Sequence, residues 1–129
     1  MKHAYLIIAH SDIEVFKTLI SLIDDVRNDI YVHIDKKVDI TPFTAVTTQH
    51  SRITFLSCID VIWGHFNLVR VEMLLLRKAR EAGDYAYYHL LSGVDLPLKS
   101  QDEIHSFFEK NQGKEMVEIW GGARCRDKL

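Results

Sequence analysis

A chain of 129 residues with 47% hydrophobic and 26% charged residues has the size and composition of one soluble domain with a real core. That composition excludes a disordered segment, and the formal net charge of -2 gives no bulk attraction to nucleic acid. The two cysteines, Cys58 and Cys125, stand in no metal or redox spacing and read as free thiols.

Tyr5 to Ala9 is a continuous apolar run, the pattern of a strand buried on both faces of a parallel sheet. It is too short for a signal-peptide core or a membrane span, and no other run reaches membrane length. A chain that opens directly in a strand reads as cytoplasmic. Peripheral contact, at the inner face of a bacterial membrane, stays open. Ser11 and Glu14 have capping-box spacing. Val15, Leu19, Leu22, Ile23 and Val26 then recur at helical intervals and predict the buried face of a first helix.

Residues 29–34 predict a second strand, with Ile30, Val32 and Ile34 on one face and Tyr31 and His33 on the other. A short helix is expected after Pro42, a third strand over 53–56, and a loop over 57–64 ending at Trp63-Gly64. A helix over 66–82 follows, with Val69, Met73, Leu76 and Ala79 sharing a face and Gly83 as its stop. Residues 85–91 predict a fourth strand, and Ser92 to Pro97 a turn. Ser100 and Glu103 form a second capping box before Ile104, Phe107 and Phe108, in a helix that Gly113 ends. Residues 115–119 predict a fifth strand, and 120–129 a loop or tail. Strands alternating with helices give an α/β domain, a mainly parallel sheet with helices on both faces.

In open α/β sheets, ligands bind outside the carboxyl ends of the strands. Here those ends carry Ala9-His10-Ser11, Asp35-Lys36, Ser57-Cys58-Ile59-Asp60 and Ser92-Gly93-Val94-Asp95. Asp35 is the sharpest candidate: an acid ending the second strand can accept hydrogen bonds from a ribose hydroxyl or a base imino group. It can equally be a turn acid beside Lys36 and Lys37. His33, on the same side of the strand, reads as a packed histidine. His10 can contact a base or phosphate, or cap the first helix. Asp95 can shape an Asx-type turn or stand near donor phosphates. Trp63 can stack on a ring or close the core. The sequence holds no GxGxxG, no P-loop, no HExxH and no Asp-x-Asp, so no metal site is expected, and a diphosphate would need Lys or Arg to neutralise it.

Five strings occur in order over nearly the whole chain: residues 5–10 (Tyr-Leu-Ile-Ile-Ala-His), 31–37 (Tyr-Val-His-Ile-Asp-Lys-Lys), 63–65 (Trp-Gly-His), 88–99 (Tyr-His-Leu-Leu-Ser-Gly-Val-Asp-Leu-Pro-Leu-Lys) and Glu103-Ile104. Together they resemble the core-2/I-branching β-1,6-N-acetylglucosaminyltransferases, whose domain the peptide O-xylosyltransferases share. The resemblance implies a GT-A-like, Rossmann-like fold. It implies inverting, metal-independent transfer of N-acetylglucosamine, or of xylose in the related branch, from a UDP-sugar to a glycan acceptor hydroxyl. No cofactor and no nucleic acid is implied. A non-catalytic nucleotide-binding module is the reading from another class. The nucleotide-sugar contacts carried over fall on Ala9, His10, Asp35 with Lys36, and Ser92, Gly93 and Asp95, with Trp63 as a further candidate. The resemblance covers 1–119 as the nucleotide-sugar-binding part. The catalytic base is expected beyond residue 129, and Glu103, Glu115 and Glu118 match no catalytic position.

Overall fold

A computed structural model describes residues 2–62 and 66–114, so Trp63, the fifth strand expected over 115–119 and the tail over 120–129 lie outside the described residues. The elements run β1 (His3–Ala9), α1 (Ile13–Ile23), β2 (Asn28–Ile34), α2 (Thr41–Thr44), β3 (Arg52–Leu56), α3 (Phe66–Ala82), β4 (Tyr87–Ser92) and α4 (Gln101–Lys110). The four strands form one parallel sheet in the order β3-β2-β1-β4. The fold is therefore the α/β sheet that the alternating pattern predicts. Chain order reverses between β1 and β4, and a crevice opens at such a point.

Alternation along the strands splits the core in two. Tyr5, Ile7, Ala9, Ile30, Val32 and Ile34 face α1 and α2, while Ala4, Leu6 and Tyr31 face α3. Helix α4 joins the α1 side, where Gln101 bonds the Tyr5 hydroxyl. The strand faces thus follow the sequence reading. The helix faces follow it in part: Leu19, Ile23 and Ala79 are buried as expected, but the stripes are rotated. In α1 the sheet buries Phe16, Leu19, Ile20 and Ile23, while Leu22 is 45% and Val26 67% exposed. The run Phe16-Leu19-Ile20-Ile23 is also helically spaced, and packing on the sheet turns this stripe inward. In α3 the buried residues are Val71, Leu75 and Ala79; Val69 and Met73 lie on the outer side, about half exposed. No helix among the described residues is long and apolar enough to cross a membrane.

The two capping boxes part company. Ser100 accepts a hydrogen bond from the Glu103 N–H at 3.2 Å and caps α4 as its spacing predicts. Ser11 does not cap α1. Asp12 takes the cap position with φ 53°, and its side chain makes no capping bond. Only three residues separate Ala9 from Ile13, and that tight reversal needs one left-handed residue, which aspartate tolerates better than most.

Candidate functional site

The register brings the strand ends to one edge. Ala9 pairs with Ile34, Ile8 with Ser92, and His33 with Leu56. The residues just past these positions, His10, Asp35, Ser57 and Gly93, therefore share one rim of the sheet.

Asp35 is 5% exposed, and its N–H donates to the Ala9 carbonyl at 3.1 Å, extending the β1–β2 ladder by one bond. Its Oδ1 accepts from the Lys37 N–H (3.1 Å), Lys37 Nζ (3.2 Å) and the Val61 N–H (3.3 Å). Its Oδ2 lies 2.9 Å from the same ammonium. Burial disfavours the ionised form. The hydrogen bonds from the Lys37 side chain and backbone and from Val61 outweigh it, and the carboxyl stays below its ordinary range. Asp35 is therefore a fixed anion in a nearly buried position. Among the described residues Oδ2 meets Lys37 Nζ alone, which leaves a lone pair for a further donor.

Lys37, in the sequence only a neighbour of the acid, is the second half of this device. Its ammonium also donates to the Val61 carbonyl at 2.9 Å, pinning the 57–62 loop against the β2 end. Its signal in the sequence was its place two residues after the acid, where side chain and backbone reach one carboxylate together. His33 serves the same loop from below. Its Nε2 accepts from the Cys58 and Ile59 N–H groups at 3.2 Å each, so the proton resides on Nδ1. Full burial lowers its pKa, against the pull of the Asp35 charge, and keeps the ring neutral. The Lys36 N–H adds a bond to the Ile59 carbonyl at 3.2 Å, leaving its side chain exposed at the rim.

The β4 end is built differently. The Gly93 N–H donates to the Ile8 carbonyl at 2.9 Å, and a Cβ at Gly93 would stand 2.7 Å from Ala9 Cβ and 3.2 Å from Ala9 Cα. Ala9 and Gly93 are thus a matched small pair at the switch between β1 and β4. The Ala9 side chain is buried and offers a ligand only backbone and proximity. Asp95 turns back to accept from the Ser92 N–H at 2.8 Å, and Ser92 Oγ accepts from the Val94 N–H at 3.3 Å. Asp95 therefore shapes the loop, but not as the Asx-type turn read from the sequence: its carboxylate reaches back three residues while Ser92 makes the two-residue side-chain turn, and the exposed Asp95 sits at the rim. His10 is exposed at the β1 end. Among the described residues, no three His, Cys, Asp or Glu side chains converge as a metal-binding group.

Replacing Gly93 by Ala is expected to force β1 and β4 apart at this point and to cost about 1–3 kcal/mol, the usual range for overpacking. Thermal unfolding checks this; an unchanged midpoint would show that the strand ends have slack.

Residues 3–121 match the sequence model of the Core-2/I-Branching enzyme family. Among curated relatives, Xylosyltransferase 2 of Homo sapiens is 26% identical across 95% of this chain and 15% of its own length. Xylosyltransferase 2 of Mus musculus is 25% identical over the same shares, and that of Bos taurus 24%. The chain thus spans about 15% of the length of these relatives. With the family match running from the first strand through all four helices, this chain belongs to the Core-2/I-Branching enzyme family.

Proposed function

We propose that this chain is the nucleotide-holding part of a glycosyltransferase, and that a UDP-sugar donor lies across the carboxyl edge of β1, β2 and β4. The observation that carries the reading is a fixed, nearly buried Asp35 carboxylate with a spare lone pair, one strand away from the Ala9–Gly93 pair at the strand-order reversal. A carboxylate so placed suits the imino group of a base or a ribose hydroxyl. The small pair lets a ligand approach the backbone closely. The exposed Lys36 ammonium and His10 are the groups at this rim for the diphosphate.

In the complete enzyme the reaction would be a one-step inverting displacement. A carboxylate base takes the proton of the acceptor hydroxyl, the hydroxyl oxygen bonds to the anomeric carbon, and the bond to UDP breaks. Fixed cations, in place of a metal, hold the departing charge. No described residue is placed as that base. Glu103 lies in the first turn of α4, beyond the loop that carries Asp95, and pairs with Lys99 at 3.9 Å. N-acetylglucosamine is the donor sugar that the sequence resemblance implies. The xylosyltransferase relatives favour xylose as a second reading.

Calorimetry with UDP in excess chelator tests the site. Binding is expected without divalent cation, and Asp35→Ala is expected to weaken it by about 10- to 100-fold, as loss of a hydrogen bond to a charged group does. Cation-dependent binding, or equal affinity in the variant, would remove Asp35 from the nucleotide site.

A further inference from the structure

The opposite, amino edge of the sheet holds a cluster with no part in the proposed site. His3 opens β1, His89 lies in β4 and His105 in α4. His3 Nδ1 is 3.0 Å from His89 Nε2, so one ring donates and the other accepts. The His105 ring lies against His3 with centroids 4.0 Å apart, and Tyr5 stacks on His89 at 4.6 Å. His105 Nε2 stands 2.8 Å from Asn28 Oδ1, an oxygen that only accepts, so the proton is on Nε2. A proton added to any of these rings would place a cation among the others with no carboxylate bonded to it among the described residues. Tyr87 and Phe108 present ring edges to His3. Asp25 and Asp102, the acids nearest His105, are both bonded to Arg27, which itself faces His3 and His105 as a cation. Glu109 of α4 is the acid that lines an adjoining cavity of about 260 Å³, together with His3, Arg27, Tyr87, His105 and Phe108, and it makes no hydrogen bond to the rings among the described residues.

Helix α4 is the element that depends on this cluster. Its two buried residues, Gln101 and His105, are both polar. Its other ties are the Tyr5 and Asn28 bonds to Gln101, the Asp102–Arg27 pair, the Tyr87 hydroxyl on the Phe108 and Asn111 carbonyls, and the partly buried Ile104 and Phe108. We propose that His3, His89 and His105 form a proton-sensitive latch that holds α4 on the sheet near neutral pH and releases it in acid.

The electrostatics agree with the geometry. Burial first, then the neighbouring imidazoles, lowers His3 to about 3. Burial and His105 lower His89 to about 4, and burial and Arg27 lower His105. Once α4 is released, the rings return toward about 6.5. The released state therefore binds more protons between the two sets of values. Docking is fully favoured above about pH 6.5 and is lost progressively as pH falls toward the docked-state values. Each histidine shifts the equilibrium by up to about tenfold per pH unit in that window. Because α4 begins at the end of the 93–99 stretch, its release also frees one anchor of that loop.

Hydrogen exchange at pH 7.5 and 5.5, corrected for the intrinsic pH dependence of exchange, separates this latch from general acid unfolding. His33 is a further buried histidine, and its protonation would loosen the sheet itself. Protection of residues 101–110 is expected to fall at least about tenfold while that of 28–34 persists. His105→Gln, which keeps a donor for Asn28 without a titrating ring, is expected to flatten the α4 response. Should that variant dock poorly at pH 7.5, the imidazole NMR signals of the unaltered chain give the second measure: all three are expected to titrate together with loss of α4 protection. Unchanged α4 protection, equal loss in α4 and β2, or a ring of the cluster protonating near pH 6.5 with α4 still protected would overturn the latch.

Discussion

Asn28→Ala is expected to remove about 3–5 kcal/mol of folding stability, a large share of the 5–15 kcal/mol that holds a domain together. Asn28 is fully buried at the start of β2. Its Nδ2 donates to the Ile23 carbonyl at 2.8 Å and to Gln101 Oε1 at 2.7 Å, and its Oδ1 accepts from His105. One side chain therefore closes the last turn of α1, the first turn of α4 and the edge of the sheet. Truncation strands the Ile23 carbonyl and the His105 N–H at about 1–3 kcal/mol each, and leaves Gln101 Oε1 with only the longer bond from Tyr5 at 3.4 Å. Gln101 makes matters worse, because its Nε2 already has no partner among the described residues. Asn28→Asp is the informative companion. It keeps the acceptor for His105 but turns a buried carboxylate oxygen onto the Ile23 and Gln101 oxygens, so it is expected to cost at least as much as Asn28→Ala. Denaturant unfolding measures both, and a loss below about 1 kcal/mol for Asn28→Ala would show that the three elements dock independently.

Phe16→Ala is expected to cost about 3–5 kcal/mol, while Leu22→Ala should stay within about 0.5 kcal/mol. Phe16 is fully buried and meets Phe43 of α2 edge to face at 5.2 Å. That contact joins the two helices on one side of the sheet, so the lost ring leaves a cavity that neither helix closes alone. Leu22 faces water. The pair of variants reads out which stripe of α1 is inside. Equal costs would restore the stripe through Leu22 and Val26.

The sequence made the strands legible because period two is unambiguous: Ile30, Val32 and Ile34 against Tyr31 and His33 fall as their alternation requires. The helices were harder because α1 and α3 each carry two apolar stripes. Periodicity alone cannot say whether Phe16 or Leu22, Leu75 or Met73, turns inward; the sheet decides that. The Ser11 box failed for a geometric reason, since three residues cannot reverse the chain without a left-handed one. At the candidate site, local chemistry was readable: the turn built by Ser92 and Asp95, and the acid at the end of β2. The Ala9–Gly93 contact and the Asn28–Gln101–His105 network were not, because their partners lie more than 70 residues apart and meet only through the parallel register.

The two edges of the sheet thus divide the work. The amino edge is tied by neutral, buried side chains and the Arg27 ion pairs, which together hold α4. The carboxyl edge is tied by a buried acid and a small-residue contact that leave exposed polar groups at the rim. The most direct test of that division is an NMR titration of the backbone amides with UDP in chelator. Shifts are predicted to concentrate at Ala9, His10, Asp35, Lys36, Ser92, Gly93 and Asp95, with His3, Tyr87 and His105 unmoved. Shifts centred on the amino edge, or none at millimolar UDP, would contradict the placement of the nucleotide.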